Sequence, residues 1–235
     1  MSLQFIMGNS GSGKSYCLYD TVVREAIENP DKNYLVIVPE QFTMQTQKDL
    51  CLAHPKGGIM NIDVLSFGRL AYRVFEEVGQ DARVVLDDEG KNLVLRKIAG
   101  ECEKDLKVFK GNLKKQGYIS EVKSVLSEFA QYGVDFERLD DFMKEVPPES
   151  YLHYKLDDIR TIYEKFEEYL SEKYITKEEM LDVLSDAVPY SDILKGSVVA
   201  MDGFTGFTPV QNRLIGELFS VCEKVMITVT MDGKE

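Results

Sequence analysis

Short apolar runs alternate with amphipathic segments at both ends of the chain. The runs have the length of buried strands, and most stop at a proline, a glycine or a residue that caps a helix. They predict five strands, at residues 3–7, 34–38, 59–65, 197–202 and 224–230. Strand–helix units in this order predict an α/β protein with a parallel sheet and helices on both faces.

The pattern changes near residue 87, and no convincing strand follows until about residue 195. Apolar residues in this stretch recur three and four positions apart, which is typical of amphipathic helices. The longest helix is predicted over residues 151–172, with one apolar face formed by Leu152, Leu156, Ile159, Tyr163, Phe166 and Leu170. Its other face is charged, so we interpret the apolar face as core.

These patterns divide the chain into two domains. Residues 1–86 and 196–235 are expected to form the five-stranded α/β domain. Residues 87–195 are expected to form an all-helical subdomain inserted between the third and fourth strands. The apolar strand at residues 224–230 is expected to be buried, which indicates a piece of a longer protein.

Capping residues mark the predicted starts of several helices. Thr43 and Ser66 are expected N-caps, because each precedes an apolar periodic run. The pairs Thr176 with Glu179 and Thr208 with Gln211 have the spacing of a capping box.

Composition and charge narrow the classes of function. Hydrophobic residues make up 44% of the chain and charged residues 29%, as in ordinary globular proteins. The net charge is −12, so any contact with nucleic acid requires a local basic groove or a partner protein. One basic cluster contains Lys104, Lys107, Lys110, Lys114 and Lys115, with Phe109 and Tyr118 nearby. Such a cluster either follows a phosphate backbone or forms an ordinary solvated face.

The sequence carries no signal for a membrane or a local metal centre. No run approaches the roughly 18 apolar residues of a membrane span, and no charged-then-apolar leader precedes the first strand. We therefore expect a cytoplasmic protein without membrane contact. The four cysteines lie far apart with no C-x-x-C pair, and only two histidines are present. This argues against a zinc site or a local iron–sulfur site.

The strongest motif lies between the first strand and the first helix. The residues are Gly8, Asn9, Ser10, Gly11, Ser12, Gly13, Lys14 and Ser15, which match the G-x-x-x-x-G-K-[ST] pattern of a P-loop. Glycines let such a loop wrap with its N–H groups inward, and the helix contributes its positive end. We expect Lys14 to reach the β- and γ-phosphates of ATP, and the Ser15 hydroxyl to hold Mg²⁺.

A P-loop ATPase needs a second acidic group at the end of another strand to hold the magnesium ion. Asp202 is the candidate, because it follows an apolar strand at the carboxyl end where ligands of α/β proteins bind. The residue after it is Gly203, so the place where many such enzymes carry a catalytic glutamate has no carboxylate. Gln211 or Glu40 are possible substitutes, and no catalytic residue is assigned.

The order of these motifs resembles the first motor domain of UvrD-like superfamily 1 DNA helicases. The segments that carry the resemblance are the P-loop and residues 36–43, 64–70 and 201–211. In the last of these, Asp-Gly-Phe replaces the Asp-Glu of active helicases. This form resembles the N-terminal part of the AddB family, the second subunits of bacterial helicase–nucleases that process DNA double-strand breaks for recombination.

The resemblance implies more than the periodicity does. Members of this family pair with an AddA-type helicase–nuclease subunit as a heterodimer, and are thought to scan the unwound strand at a DNA end. The second motor domain, the nuclease domain and the iron–sulfur cluster of the family would lie outside this segment. By analogy, single-stranded DNA would contact the loops after the second and third strands, at Gln41, Phe42, Thr43, Ser66, Phe67 and Arg69. The alternative is that Phe42 and Phe67 are buried anchors of helix starts.

Two other functions remain open. The first is a free-standing P-loop kinase or ATPase whose helical insertion is a lid. Lids bring arginines to the phosphates, and Arg96, Arg138 and Arg160 are few for that purpose. The second is a scaffold for a partner subunit, with a P-loop that binds no nucleotide. If the helicase-like interpretation holds, weak or absent ATP hydrolysis is expected from this segment alone.

Overall fold

The computed structural model describes residues 2–79, 83–112, 115–171 and 173–231. The chain divides into two compact units. The first unit contains Met1–Asp81 and Leu181–Glu235, and the second contains Ala82–Met180. The domain boundaries at residues 86 and 195, which the sequence indicates, remain a prediction.

The regular elements, in chain order, are strands and helices of ordinary length. The strands are β1 (Ser2–Gly8), β2 (Tyr34–Ile37), β3 (Ile62–Leu65), β4 (Val84–Leu86), β5 (Tyr174–Thr176), β6 (Val198–Met201) and β7 (Lys224–Thr230). The helices are α1 (Lys14–Glu28), α2 (Thr43–Ala53), α3 (Phe67–Val78), α4 (Asp88–Glu101), α5 (Gln116–Tyr132), α6 (Phe136–Glu145), α7 (Tyr151–Leu170), α8 (Glu179–Ala187) and α9 (Pro209–Val221). Single 3₁₀ turns cover Glu40–Phe42 and Val188–Tyr190.

A five-stranded sheet with the order β1-β7-β6-β2-β3 organises the first unit. Each neighbouring pair of strands in it is parallel. Because all strands run the same way, their carboxyl ends meet at one edge of the sheet, where ligands of such folds bind. The prediction of five strands in an α/β fold with helices on both sides is confirmed.

The two faces of this sheet are covered by different helices. On one face, α1 and α2 bury Leu18, Val22 and Leu50 against side chains such as Val36 and Ala200. On the other face, α3 and α9 contribute the buried residues Leu70, Ala71, Val74, Val210, Leu214, Ile215 and Leu218. Alternation along each strand produces this two-sided burial.

Strand β1 differs from the expectation of a fully buried strand. It lies at the edge of the sheet and pairs only with β7 among the described strands. Leu3, Phe5 and Met7 point to one face, and their exposed fractions are 46%, 50% and 62%. The prediction of a strand is confirmed and the prediction of its burial is wrong, because side chains project from the faces of a sheet and this face of β1 stays largely open to solvent.

The second unit is mostly helical, with a core shared by α4, α5 and α7. The expectation of an all-helical segment is wrong at one place. Residues Tyr174–Thr176 form β5, which pairs in parallel with β4. Each of these strands has only three residues, so neither leaves an alternating pattern that is long enough to recognise.

Most of the predicted capping residues cap a helix. Thr208 and Gln211 form a reciprocal capping box at the start of α9, and Thr176 and Glu179 exchange the same pair of bonds. Ser66 caps α3. Thr43 is not a cap: it is the first residue of α2, and its hydroxyl donates to the Glu40 carbonyl at 2.9 Å. The 3₁₀ turn before α2 places it one position inside the helix.

Candidate functional site

A tight glycine-rich loop joins β1 to α1 at the carboxyl edge of the sheet. Gly11 and Gly13 have φ angles of 76° and 85°, in the left-handed region that favours glycine. A Cβ at Gly8 would lie 2.6 Å from the Ser12 Oγ. The backbone therefore favours glycine at Gly11 and Gly13, whereas a larger residue at position 8 would displace the Ser12 side chain.

Backbone and side-chain bonds hold this loop closed. The Ser12 N–H donates to the Asn9 carbonyl at 3.1 Å. The Lys14 Nζ folds back across the loop and donates to the same carbonyl at 2.8 Å. Asn9, Ser10, Gly11, Ser12, Gly13 and Ser15 are exposed, and Lys14 is half-buried.

The loop fits a polyphosphate by the chemistry of its groups. The first turn of α1 contains no acidic residue, and its N–H groups have no partner inside the helix. A cation, Lys14, stands at that positive end, and a hydroxyl, Ser15, follows it. Such a turn can hold phosphate oxygens on the backbone N–H groups and the lysine. When bound, ATP would supply a reactive phosphoanhydride, and Mg²⁺ would neutralise part of its charge.

Asp202 lies directly after β6, at the same edge of the sheet as the loop. Its carboxylate is only 6% exposed. One oxygen accepts from the Thr228 hydroxyl at 2.6 Å, and the other accepts from the Tyr19 hydroxyl at 2.7 Å. Tyr19 belongs to α1, so the helix that begins at Lys14 also contacts Asp202. Burial, together with the bond to Asp202, raises the pKa of Tyr19 well above its ordinary value.

Both oxygens of Asp202 thus already accept a hydrogen bond. A carboxylate oxygen has a second lone pair, so Asp202 can still accept from a water molecule on a magnesium ion. No group of three or more histidine, cysteine, aspartate or glutamate side chains is arranged for a metal ion in the part of the chain that the structure describes. A magnesium ion here would depend on phosphate oxygens and Ser15 for its direct ligands.

The residue after Asp202 is a glycine for a structural reason. Gly203 has a φ of 78°, which is strained for any residue with a side chain. A Cβ there would meet the Phe42 ring and the Pro39 Cδ at 3.5 Å. The backbone therefore does not favour a glutamate at this position.

The two possible substitutes for that glutamate have other bonds. The Gln211 Oε1 accepts from the Thr208 N–H in the capping box. The Glu40 Oε1 accepts from the Arg69 guanidinium at 3.0 Å. In this arrangement each of these side chains is already bonded to another protein group.

The six residues predicted to contact DNA fall into two groups. Thr43, Ser66 and Phe67 are buried, with exposed fractions of 4%, 6% and 6%. Gln41, Phe42 and Arg69 are exposed. Phe67 is an anchor of the start of α3, whereas 46% of the Phe42 side chain reaches solvent.

Sequence reasoning missed an aromatic cluster beside these loops. The Phe67 and Phe204 ring centroids are 5.4 Å apart, and those of Phe204 and Phe207 are 5.1 Å apart. Gly203 lies against the Phe42 ring. The loops after β2, β3 and β6 therefore meet in one apolar surface. In the sequence, Phe204 and Phe207 after Asp202 are the signal that could have predicted this cluster.

The lysine cluster at residues 104–115 behaves mainly as a solvated face. Lys107 pairs with Asp157 at 2.9 Å and stands over the Tyr154 ring. Lys115 lies 5.9 Å from the Tyr118 ring centroid. Lys104 and Lys110 are exposed, and Phe109 is buried. Lys114 lies outside the described residues.

The fold and this site define a class of protein: an α/β protein with a parallel five-stranded sheet and a glycine-rich loop after its first strand. None of the helices described is long and apolar enough to cross a membrane.

Comparison with known proteins then identifies the family. A family model described as "ADDB, N-terminal" matches residues 5–235. A protein of Lachnoclostridium phytofermentans is 48% identical over the whole chain. Proteins of Clostridium kluyveri and Alkaliphilus metalliredigens are 39% and 35% identical over 99% of it. Each relative is named as the B-type subunit of an ATP-dependent helicase/deoxyribonuclease, and the match covers 20% of its length. The chain belongs to the AddB family and spans about a fifth of the length of these relatives.

Proposed function

We propose that this chain is the N-terminal, helicase-like region of a helicase–nuclease subunit that processes DNA double-strand breaks. It binds ATP with Mg²⁺ at the glycine-rich loop and guides single-stranded DNA, with little or no ATP hydrolysis of its own. The proposal rests on the loop itself: two glycines with left-handed backbone, a third beside the Ser12 side chain, and then Lys14 at the start of α1.

The nucleotide-binding part of the proposal assigns roles to individual residues. The backbone of Gly8–Gly13 and the first turn of α1 hold the phosphates. Lys14 exchanges its bond to the Asn9 carbonyl for phosphate oxygens. Ser15 coordinates Mg²⁺, and Asp202 accepts from a water molecule on the ion. Each role uses a donor or acceptor at the carboxyl edge of the sheet.

Weak hydrolysis follows from what surrounds Asp202. Transfer to water needs a group that orients the nucleophile. Gly203 has no side chain, and Gln211 and Glu40 are bonded elsewhere. In the assembled complex, an AddA-type partner or the rest of the polypeptide would have to supply the missing groups. The names of the relatives, each of which is called one subunit of an enzyme, support a partner of this kind.

DNA guidance is assigned to the exposed residues at the loop tips. The Phe42 ring can stack on a base, while Gln41 and Arg69 can bond the backbone. Thr43, Ser66 and Phe67 position them from beneath. Arg69 can bond a phosphate and keep its pair with Glu40, because a guanidinium has five N–H donors.

Titration calorimetry with Mg-ATP tests nucleotide binding. We expect Lys14→Ala to weaken binding at least tenfold, and Lys48→Ala to leave it unchanged, since Lys48 is an exposed lysine on α2. ATP turnover should stay below about 1 s⁻¹, with or without single-stranded DNA. This threshold is the lower end of ordinary enzyme rates. DNA-stimulated turnover above it would contradict the proposal.

A scaffold is the second candidate, and one observation favours it. The Lys14 Nζ and both oxygens of Asp202 are already occupied by protein groups, so the site is stable without ligand. If Lys14→Ala changed neither nucleotide affinity nor the activity of the assembled complex, the scaffold would be the better description.

A further inference from the structure

The second unit contains a cavity that none of the roles above uses. It has a volume of about 580 Å³, within the roughly 300–1,000 Å³ that is usual for small-ligand sites. Three lysines and two tyrosines line it: Lys97 on α4, Lys165 and Tyr169 on α7, Lys173, and Tyr174 on β5. Cations and aromatic rings together are the groups that bind single-stranded nucleic acid.

The three lysines have no ion pair within the described ranges of the chain. By contrast, Lys107 and Lys144 of the same unit each pair with an aspartate at 2.9 Å or less. Glutamates also line this cavity, but no ion pair among the described residues holds the three ammonium groups, so each can bind an external anion. Lysine ammonium groups that line one cavity can bind a phosphate group as point charges.

The aromatic wall adds a surface for a base. The Tyr169 and Tyr174 rings are stacked, with centroids 6.0 Å apart and planes 9° from parallel. The Lys97 Nζ stands 4.7 Å from the Tyr169 centroid. Because 37% of Tyr169 remains exposed, a flat base can reach the stack once the Lys97 ammonium leaves the Tyr169 ring for the phosphate. Stacking on such rings tolerates any base.

Two glutamates limit the charge that the cavity accepts. Glu101 and Glu168 also line it, so among the described lining residues the lysines exceed the acids by a single charge. One phosphodiester carries one negative charge, whereas a nucleoside triphosphate carries several. The balance therefore favours a nucleotide within a strand over a free triphosphate.

We infer that this cavity binds one nucleotide unit of single-stranded DNA, with its phosphate among Lys97, Lys165 and Lys173 and its base against the Tyr169–Tyr174 stack. The choice of DNA as occupant rests on the proposed function. The cavity needs neither the glycine-rich loop nor the loops at residues 41–43 and 66–69.

Fluorescence anisotropy with a labelled oligo-dT strand and the full chain tests this inference. The variant Lys97→Ala/Lys165→Ala/Lys173→Ala should weaken binding by about tenfold or more, and should reduce the slope of log affinity against log salt by about one for the lost phosphate. Tyr174→Ala should weaken binding roughly tenfold with an unchanged slope, because stacking carries no charge. Lys155→Ala is the matched control, since Lys155 is an exposed lysine of α7 outside the cavity.

A variant that binds DNA more tightly than the wild type cannot be explained by misfolding. Glu101→Gln/Glu168→Gln removes the two acids from the cavity, so binding should tighten several-fold at low salt. If the lysine variant keeps wild-type affinity and slope, or if the glutamine variant does not bind more tightly, the inference is overturned. If free thymidine monophosphate competes at the concentration of the strand, the occupant is a free nucleotide and the inference is likewise overturned.

A second variant separates this inference from the proposed function. Phe42→Ala/Arg69→Ala tests the loops of the first unit only. If Phe42→Ala/Arg69→Ala has no effect while the lysine variant weakens binding, the cavity binds DNA and the loops do not. If it weakens binding while the lysine variant does not, the cavity fails and the loops stand.

Discussion

Among the described residues, each unit of this chain contains one buried aspartate, and the two differ in the groups that they bind. Asp158 in the second unit is 1% exposed and accepts from three backbone N–H groups, those of Lys107, Val108 and Phe109, at 2.7–2.8 Å. Asp202 in the first unit accepts from two hydroxyls, those of Tyr19 and Thr228. Backbone donors have no alternative partner in the fold, whereas hydroxyls can rotate to another acceptor.

This difference separates a structural carboxylate from one that remains available. Asp158 fixes a loop to α7 and has no further role to offer. Asp202 stands at the carboxyl edge of a parallel sheet, where its hydroxyl partners can exchange with water or a ligand. Burial alone therefore does not tell the two apart, and the identity of the donors does.

The largest loss of stability is expected when Asp158 is replaced. Replacing it with alanine leaves three N–H groups without their acceptor, so Asp158→Ala should lower the free energy of unfolding by about 4 kcal/mol. Urea denaturation followed by circular dichroism measures this. Asp157→Ala is the control: the neighbouring residue makes only a surface pair with Lys107, which predicts a loss of about 1 kcal/mol or less. If both variants lost a similar free energy of unfolding, the three backbone hydrogen bonds to Asp158 would not explain its effect.

A buried ion pair in the second unit should give the next largest effect. Lys91 and Glu178 pair at 2.7 Å with side chains 3% and 13% exposed, and the Lys91 Nζ also donates to the Ser127 hydroxyl. Lys91→Ala leaves the glutamate buried without its cation, which should cost about 3 kcal/mol.

The double variant Lys91→Met/Glu178→Leu checks the cause of that loss. Replacing both charges with apolar side chains of similar size is often close to neutral, so most of the lost stability should return. If the double variant is as unstable as Lys91→Ala alone, desolvation of an unpaired charge is not the reason.

The strands and caps of the first unit could be predicted from sequence because their signals are local. The apolar runs at β2, β6 and β7 have the length of buried strands, and Thr208 with Gln211 has the spacing of a capping box. The glycine-rich loop is local as well. Two of its glycines, Gly11 and Gly13, stand where the backbone is left-handed.

Features that depend on distant partners could not be predicted in this way. The edge position of β1 depends on which strands pair, and no property of its own residues reveals it. Asp158 bonds to a loop about 50 residues away along the chain, through N–H groups that carry no side-chain signal. The strands β4 and β5 exist because they pair with each other, since three residues are too few to show a period.

Glu167 makes the stability of the second unit depend on pH. Burial, with the Glu179 carboxylate nearby, raises its pKa from 4.5 to about 7. The folded state therefore holds a proton that the unfolded state releases above pH 4.5. Stability from this group is complete below that pH and falls as the pH rises to about 7. After discounting for partial exposure, the loss is about 1.5 kcal/mol.

Glu167→Gln should flatten this pH dependence, because an amide does not titrate. Urea midpoints at pH 5 and pH 8 measure it, and Glu168→Gln on the exposed side of α7 is the control. A variant that keeps the wild-type slope between these two values would show that another group is responsible.

The smallest loss of stability is expected when Tyr19 is replaced. This residue donates a hydrogen bond to Asp202. Tyr19→Phe removes one donor to Asp202 and the contact with the Thr46 hydroxyl, while Thr228 still donates to the other oxygen. The loss of stability should be about 1 kcal/mol or less, because water can replace the missing hydroxyl. Affinity for Mg-ATP should change by less than about threefold, since Asp202 keeps its position and gains a free lone pair. If Tyr19→Phe instead destabilised the chain as much as Asp158→Ala does, Asp202 would be as firmly committed to the fold as Asp158, and its proposed contact with a hydrated magnesium ion would have to be abandoned.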